Sequence, residues 1–595
     1  MIKVSEYIAK HLVELGIKDI FMISGGGAMH LNDSLGNYPE LNYWTNHHEQ
    51  ACAIGAEGYF RASGKMAVVN VTSGPGGLNC LTGVMGQWTD SIPVLYLSGQ
   101  VKYETTIYSC KELGLRQLGD QEVDIISVVK SLTKYSAVLK DPYEVKKMID
   151  KAVYIANSGR RGPVWIDIPL NIQASIIDES KLIEYDYSED IILVDKEELT
   201  KKAIEIVKLI SESKRPIIIA GHGIRLSEGF DSFRKLIGKL KIPIVTTFNG
   251  MDLISTDHPD YVGRIGTLGN RSGNFALQNA DLVLCLGSRN NIRQSSYNWQ
   301  NFAQNAKKVI IDIDSAELYK PTVKADLPVV ADLKDFISIL CNVIPDFLPD
   351  FSYWLQWTKE RLEKYPSVLP EFKQSKSIHP YYFIKRLTEM LDSKSILVAG
   401  NGTACVAAFQ ASVVKEGNRM FWNSGCAAMG YDLPAAIGAS IASQGKEVIC
   451  LAGDGSIQMN IQELQTLVQY NLPIKIFYLN NAGYISIKQT QDNFFEGRRV
   501  ACDQASGVSF PNVTDLANAY KLDHVSLSET RDIDIKLEEI LKRKGPLICE
   551  VVLDQNYIFS PKVASEKLPD GRMISKPLED MFPFLDRNEY NSNLI

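Results

Sequence analysis

Short apolar runs bounded by small or turn-forming residues recur along the 595-residue chain, separated by amphipathic stretches of helical period. The first group is DIFMIS from Asp19, MAVVNVTSG from Met66, IPVLYLSG from Ile92 and GPVWIDIP from Gly162. A second group holds RPIIIAGHG from Arg215, IPIVTTF from Ile242, ADLVLCLGS from Ala280 and KKVIIDID from Lys307. The third holds SILVAGNG from Ser395, EVICLAGDGS from Glu447, PIKIFYLNN from Pro473 and PLICEVVLD from Pro546. Near-continuous apolar runs of this length are the mark of strands buried on both faces of a parallel sheet. Their alternation with helical patterns predicts an α/β protein of three doubly wound domains. The predicted domains are 1–172, 193–345 and 376–558, followed by a polar, proline-containing tail, 559–595, readable as a docking arm or a flap over the site. The acidic stretch Ala174–Asp190 reads as a linker, and PDFLPDFSYW marks a second boundary near residue 350. The first and third segments share a periodicity that suggests a related fold, without a letter-by-letter repeat.

Composition narrows the partners. Hydrophobic residues are 45%, charged residues 22%, and the net charge is −7 with no basic block. That argues against nucleic acid or an anionic membrane surface. No apolar run approaches the length of a membrane span, and the N-terminal MIKVSEYIAKHLVELG reads as an amphipathic helix, not a signal peptide. Ten cysteines occur without CxxC pairs, several in strand-like runs, so free buried thiols in a reducing cytoplasm are expected.

Two distant motifs carry chemistry. VICLAGDGSIQMN reads as strand, tight turn and helix, with Gly453 and Gly455 allowing close backbone approach to a phosphate and Asp454 and Ser456 beside it. The next strand, PIKIFYLNN, ends at Asn481, 27 residues beyond Asp454. Adjacent parallel strands would bring both side chains to one sheet edge, an oxygen donor set suited to Mg²⁺ shared with a diphosphate. GDG alone is more often an ordinary turn; with the helix and the NN pair at this spacing the metal reading is favoured. Far upstream, TNHHEQACAIG places Glu49 at the start of an apolar helical run. A desolvated carboxyl there is suited to proton exchange, against the competing reading of a surface salt bridge. A glutamate near the N-terminus with GDG and NN in the last third is the arrangement a thiamine diphosphate (ThDP) enzyme needs.

These motifs resemble those of the ThDP-dependent acetolactate synthase-like family, which includes the acetohydroxyacid synthases and pyruvate oxidases. HEQACAIGAEGYFRASGK and TSGPGGLN match its first conserved block, and the resemblance implies Glu49 as the catalytic acid, with Ser73 and Asn79 near the cofactor. SGQV and the pair Gln121-Glu122 match the stretch that follows, and GRRGPVWIDIP the end of the first domain. GCAAMGYDLPAAIGA implies that Met429 holds the cofactor bent and that the Ala427 carbonyl accepts its amino group. By the same match Asn401 and Thr403 contact the diphosphate, and the Gly483 carbonyl joins Asp454 and Asn481 on the metal. In such enzymes the glutamate and the metal site come from different subunits, so a homodimer or homotetramer is implied.

The chain also departs from the family. Where the family has a GMVxQW-like segment, Ser486 stands for Met and Thr490 for Trp, with Ile487 between them, which predicts a wider and more polar pocket and argues against branched-chain amino-acid synthesis. SGGGAMH replaces a YPGGAVL-like loop, putting Gly26 and His30 near the substrate mouth; a merely structural His30 is an equal reading. The run GYISIKQTQDNFFEGR and the tail are similar to ThDP enzymes of surface-polysaccharide and branched-sugar synthesis. The central segment has two readings, an FAD site or a degenerate, empty one. Arg160, Gly221, Gly223, Thr247, Arg289, Arg293 and Asp312 match flavin-contact positions and favour the first; Asn291, Ile292 and Leu268 depart from the pattern. The expected activity is ThDP- and Mg²⁺-dependent decarboxylation of a 2-oxo acid, pyruvate, with ligation of the two-carbon unit to a carbonyl acceptor such as a nucleotide-linked keto-sugar. Simple decarboxylation, C–C hydrolysis, a flavin-linked oxidation and a non-catalytic scaffold are the alternatives.

Overall fold

The computed structural model describes residues 1–567 and 570–595; residues 568 and 569 of the tail lie outside the described residues. Three six-stranded parallel sheets, each flanked by helices, form the chain, as the apolar runs predict. The first sheet has the order Asn42–Thr45, Asp19–Met22, Val68–Val71, Leu95–Gln100, Val164–Pro169, Tyr135–Val138. The third runs Arg419–Phe421, Ile396–Ala399, Val448–Gly453, Ile474–Asn480, Leu547–Val552, Asp523–Leu527. Numbered within their own domains, both read 2-1-3-4-6-5, so the shared periodicity reflects a shared topology. The central sheet, running Tyr261–Arg264, Ile244–Thr246, Pro216–Ala220, Leu282–Leu286, Lys307–Asp312, Leu327–Val330, reads 3-2-1-4-5-6. That is the order of dinucleotide-binding folds, whose ligands sit where the strand order reverses, here between Pro216–Ala220 and Leu282–Leu286.

The first and third domains share one hydrophobic core, in which Phe21, Val69 and Trp165 join Tyr431, Ile437 and Leu464. Its centre is a helix pair, Glu49–Ser63 against Asp432–Ala442. The first helix starts at His48, whose ring nitrogen accepts the Gln50 N–H, and stops at Gly64 with φ +72°. Small residues let the two backbones meet: a Cβ at Gly58 would lie 2.1 Å from the Ala435 carbonyl oxygen, and one at Gly438 would lie 1.9 Å from that of Gly55. As numbers rise on one helix they fall on the other, so the pair is antiparallel.

A buried charge network ties all three domains together. Arg61 pairs with Glu57 at 2.9 Å and with Asp90 at 2.7 Å, Asn249 of the central domain donates to Asp90, and Arg419 of the third pairs with Asp252 of the central at 2.6 Å. Arg419 also donates to the Arg61 carbonyl at 2.7 Å. The helix Ser352–Lys364 packs on Arg271–Gln278, with Trp354 donating to the Pro216 carbonyl, and so belongs with the central sheet. The tail clasps the same helix: Arg271 donates to the Met581 carbonyl and Asn274 to that of Leu578. Among the described residues no helix is long and apolar enough to cross a membrane.

Candidate active site

Val448–Gly453 and Ile474–Asn480 are adjacent parallel strands, with Gly453 opposite Leu479. Asp454 and Asn481 therefore leave the sheet side by side. Asp454 Oδ1 accepts the Gly455 N–H at 2.7 Å, and Oδ2 accepts those of Asn481 at 3.0 Å and Gly483 at 3.1 Å. Asn481 donates its amide to Thr403 Oγ1 at 3.1 Å, yet its own Oδ1 is buried without a partner. Burial pushes the Asp454 carboxyl up to about 6 despite the three backbone donors. An orphaned amide oxygen beside a buried carboxylate is the environment a hard cation relieves. Of the two motif glycines only Gly455 is forced by contact, since a Cβ there would strike the Tyr484 ring at 2.1 Å; Gly453 has room.

These residues line a cavity of 1080 Å³. Its wall gathers Asn401, Thr403, Ala427, Met429, Gly453, Asp454, Gly455, Ser456, Asn481 and Gly483 with Ser486, Ile487 and Thr490. Thr490 turns its hydroxyl back onto the Ser486 carbonyl at 2.9 Å, so the widening left by Thr in place of Trp is less polar than the sequence suggests. Part of the tail, including Phe559, Lys562, Phe582 and Phe584, completes the wall.

Glu49 does not line that cavity. It gathers instead with others at the C-terminal edge of the first sheet. Asn79 donates to Glu49 Oε2 at 2.9 Å, Thr72 Oγ1 accepts the Gly27 N–H next to Gly26, Ser73 Oγ lies against Gly27, and Gly74 abuts the Gln121 carbonyl. His30 opens the Met29–Asn37 helix at the same edge. Since Gly58 meets Ala435 and Gly55 meets Gly438 in an antiparallel pair, Glu49 lies toward the far end of that pair. The nine residues from Gly58 to Glu49 span about 13 Å of helix, directed away from Ala427 and Met429. Glu49 is half-exposed, so its own chain does not supply the dry surroundings expected of it.

A second cleft opens at the reversal point of the central sheet. Arg160, Gly223, Thr247, Arg289, Arg293 and Asp312 line it; Gly221 lies just beneath, against the Gly287 carbonyl. Arg160 is already occupied by Asp314, Glu317 and Ser91, Arg161 by Glu228, and Arg289 lies 3.9 Å from Asp90, which leaves Arg293 as the lining arginine with an open donor. Sequence reading passed over three further residues here. Both ring nitrogens of His222, Asn249 Oδ1 and Gln294 Nε2 are buried without partners, as is Arg293 Nη1. Burial and the nearby arginines Arg61, Arg419 and Arg225 hold His222 well below its usual range. His222 was visible only as the middle of a glycine turn, since nothing in the letters shows which way a side chain there points. Several orphaned donors and acceptors around one cleft are the environment of a polar ligand.

Comparison with known proteins adds an independent line. Residues 2–127 match the thiamine pyrophosphate enzyme N-terminal TPP binding domain, 203–340 the central domain and 400–551 the C-terminal TPP binding domain. The acetolactate synthase large subunit of Lactococcus lactis is 34% identical over 593 residues, 99% of this chain and 98% of its own. That of Cyanidium caldarium is 31% identical over 574 residues, 93% and 94% of the two chains. The chloroplastic acetolactate synthase 1 of Oryza sativa subsp. japonica is 29% identical over 573 residues, 95% and 86%.

Proposed function

The chain belongs to the ThDP-dependent acetolactate synthase-like family, and from that premise we propose that it decarboxylates pyruvate and joins the two-carbon unit to a carbonyl acceptor. The observation that carries the reading is the buried, unpartnered Asn481 Oδ1 next to Asp454. With the Gly483 carbonyl these two oxygens would hold Mg²⁺, and Asn401, Thr403, Gly453, Gly455 and Ser456 would face the diphosphate it shares. ThDP, when bound, supplies a nucleophilic carbon and an electron sink for decarboxylation. Met429 would support the bent cofactor and the Ala427 carbonyl would accept its amino group. Glu49 would hold a proton at the pyrimidine nitrogen, oriented by Asn79, with Gly26, Ser73 and Gln121 around it and His30 at the mouth.

Because Glu49 does not line its own chain's cavity, a second copy would bring its Glu49 to complete each site, with a homodimer as the smallest active unit and a homotetramer as an extension of it. The large cavity, and Ser486 and Thr490 in place of Met and Trp, favour an acceptor bulkier than a second 2-oxo acid; a nucleotide-linked keto-sugar is that acceptor class. Labelled pyruvate with ThDP, Mg²⁺ and a panel of 2-oxo acids and keto-sugars, read by mass spectrometry, should give a two-carbon extension of one acceptor. Free aldehyde alone would replace ligation by simple decarboxylation, and no conversion with ThDP absent from the protein would favour a scaffold.

The central cleft fits FAD: its sheet order, the arginines Arg289 and Arg293 on its wall and its orphaned polar atoms suit a dinucleotide. Flavin absorbance in the purified protein, or saturable FAD binding to the colourless one, checks this. Reduction of bound flavin by pyruvate without oxygen would point to the oxidase alternative.

A further inference from the structure

The segment leading into Glu49 is gripped by the third domain. Glu463 is wholly buried and opens the helix Glu463–Gln469. Its Oε1 accepts the His47 N–H at 2.9 Å; its Oε2 accepts the Asn46 side-chain amide at 2.9 Å and the Thr466 hydroxyl at 2.7 Å. At the end of the helix, the Tyr470 hydroxyl accepts the Thr45 N–H at 2.9 Å and lies 2.8 Å from Thr45 Oγ1, while its ring packs edge-on against Trp44 at 5.1 Å. Residues 44–47 are thus held by partners more than 400 positions away, two residues before Glu49. Among the described residues Glu463 makes no ion pair, so three hydrogen bonds are what keep this carboxylate satisfied in the interior. A buried carboxylate fully engaged by donors is rigid, because each bond lost leaves a desolvated oxygen.

The same stretch leads back to the other motif. Short helical segments, Asp454–Ile457 and Gln458–Asn460, lead from Asp454 to the Glu463 helix, and Asn460 is pinned to the Gly430 carbonyl at 2.8 Å. The stretch that begins at Asp454 therefore runs directly into the helix that grips the approach to Glu49.

We infer that Glu463 is a positioning residue, which sets the place of Glu49 by clamping Asn46 and His47. The inference rests on the proposed role of Glu49 as the proton-transfer group of a ThDP site. Alanine at 463 leaves the His47 N–H and the Asn46 amide without their acceptor and frees these two residues, while Tyr470 still holds Thr45. Glutamine keeps an acceptor for His47, and its amide can donate to Asn46 Oδ1, which is buried without a partner, once Asn46 turns over. The two variants therefore separate positioning from charge.

The experiment measures exchange of the C2 proton of bound ThDP into deuterated water, alongside ThDP–Mg²⁺ affinity by calorimetry. Glu463→Ala should slow exchange about tenfold or more while cofactor affinity stays within about threefold, and Glu463→Gln should recover most of the rate. An unchanged exchange rate in Glu463→Ala, or a Glu463→Gln variant as slow as the alanine one, overturns the positioning role. Should Glu463→Ala fail to fold by circular dichroism, Asn46→Ala decides in its place, with slowing expected and an unchanged rate overturning the inference. Glu49→Gln in the same assay should abolish exchange; a normal rate there would overturn the reading of Glu49 itself, and the positioning role with it.

Discussion

Gly438→Ala sets two effects of known size against each other. In a helix interior, alanine is favoured over glycine by about 1 kcal/mol. At this position, however, the new Cβ would lie 1.9 Å from the Gly55 carbonyl oxygen, 2.7 Å from its carbon and 2.8 Å from the Tyr59 nitrogen. All three are backbone atoms, so no rotamer change relieves the clash, and the Glu49–Ser63 and Asp432–Ala442 helices must separate by roughly 1.5 Å to reach an ordinary contact. Overpacking of a close-packed core costs about 1–3 kcal/mol, and a backbone clash belongs at or above the top of that range. The expected net loss is about 2 kcal/mol, read as a lower urea midpoint at unchanged slope. Catalysis should suffer more than stability, because a displacement of about 1 Å at a reacting group can cost 10²-fold. Gly238 supplies the contrast: it lies in the Phe230–Leu240 helix with nothing within 4 Å of its would-be Cβ. Gly238→Ala should stabilise by about 0.5–1 kcal/mol and leave turnover alone. If Gly438→Ala matched Gly238→Ala in either measurement, the close helix crossing would not be what holds Glu49 in place.

Glu49→Gln should lower turnover by about 10²-fold or more, the contribution of a positioned acid–base group, while thermal stability and ThDP binding remain near wild type; steady-state kinetics and a melting curve check both. Asn481→Ala removes one oxygen from the cation's side and one of the two hydrogen-bond partners of Thr403, so Mg²⁺-supported ThDP binding should weaken about tenfold or more by calorimetry, with little change in affinity for FAD. Asp167, fully buried and held by Ser98 at 2.5 Å and Gln100 at 3.2 Å, is pushed up to about 7 by burial. Its folded value exceeds the unfolded one, so the fold prefers the protonated form: this contribution is complete below about pH 4 and lost as pH rises to 7. Asp167→Asn should therefore gain on wild type across that window at about 1.4 kcal/mol per pH unit, levelling off above pH 7 in urea unfolding; a gap independent of pH would refute it.

Local chemistry was legible in the letters. Apolar runs of strand length gave the three parallel sheets, because a strand buried on both faces has to be apolar throughout. Asp454 and Asn481 could be paired from their spacing, since one helix between two parallel strands leaves their ends at the same edge; Gly483 joined them only through the family resemblance. What stayed hidden depends on direction and on distant neighbours. The run of small and apolar residues tells that the Glu49–Ser63 helix is buried, but not that it runs antiparallel to Asp432–Ala442, which sets Glu49 at the end away from its own chain's cavity. Arg160 reads as a free cation until Asp314 and Glu317 are seen to occupy it. Glu463 reads as an ordinary helix-opening acid until the fold delivers Asn46 and His47 to it from over 400 residues away, and a side chain whose partners lie at that separation leaves no local mark in sequence.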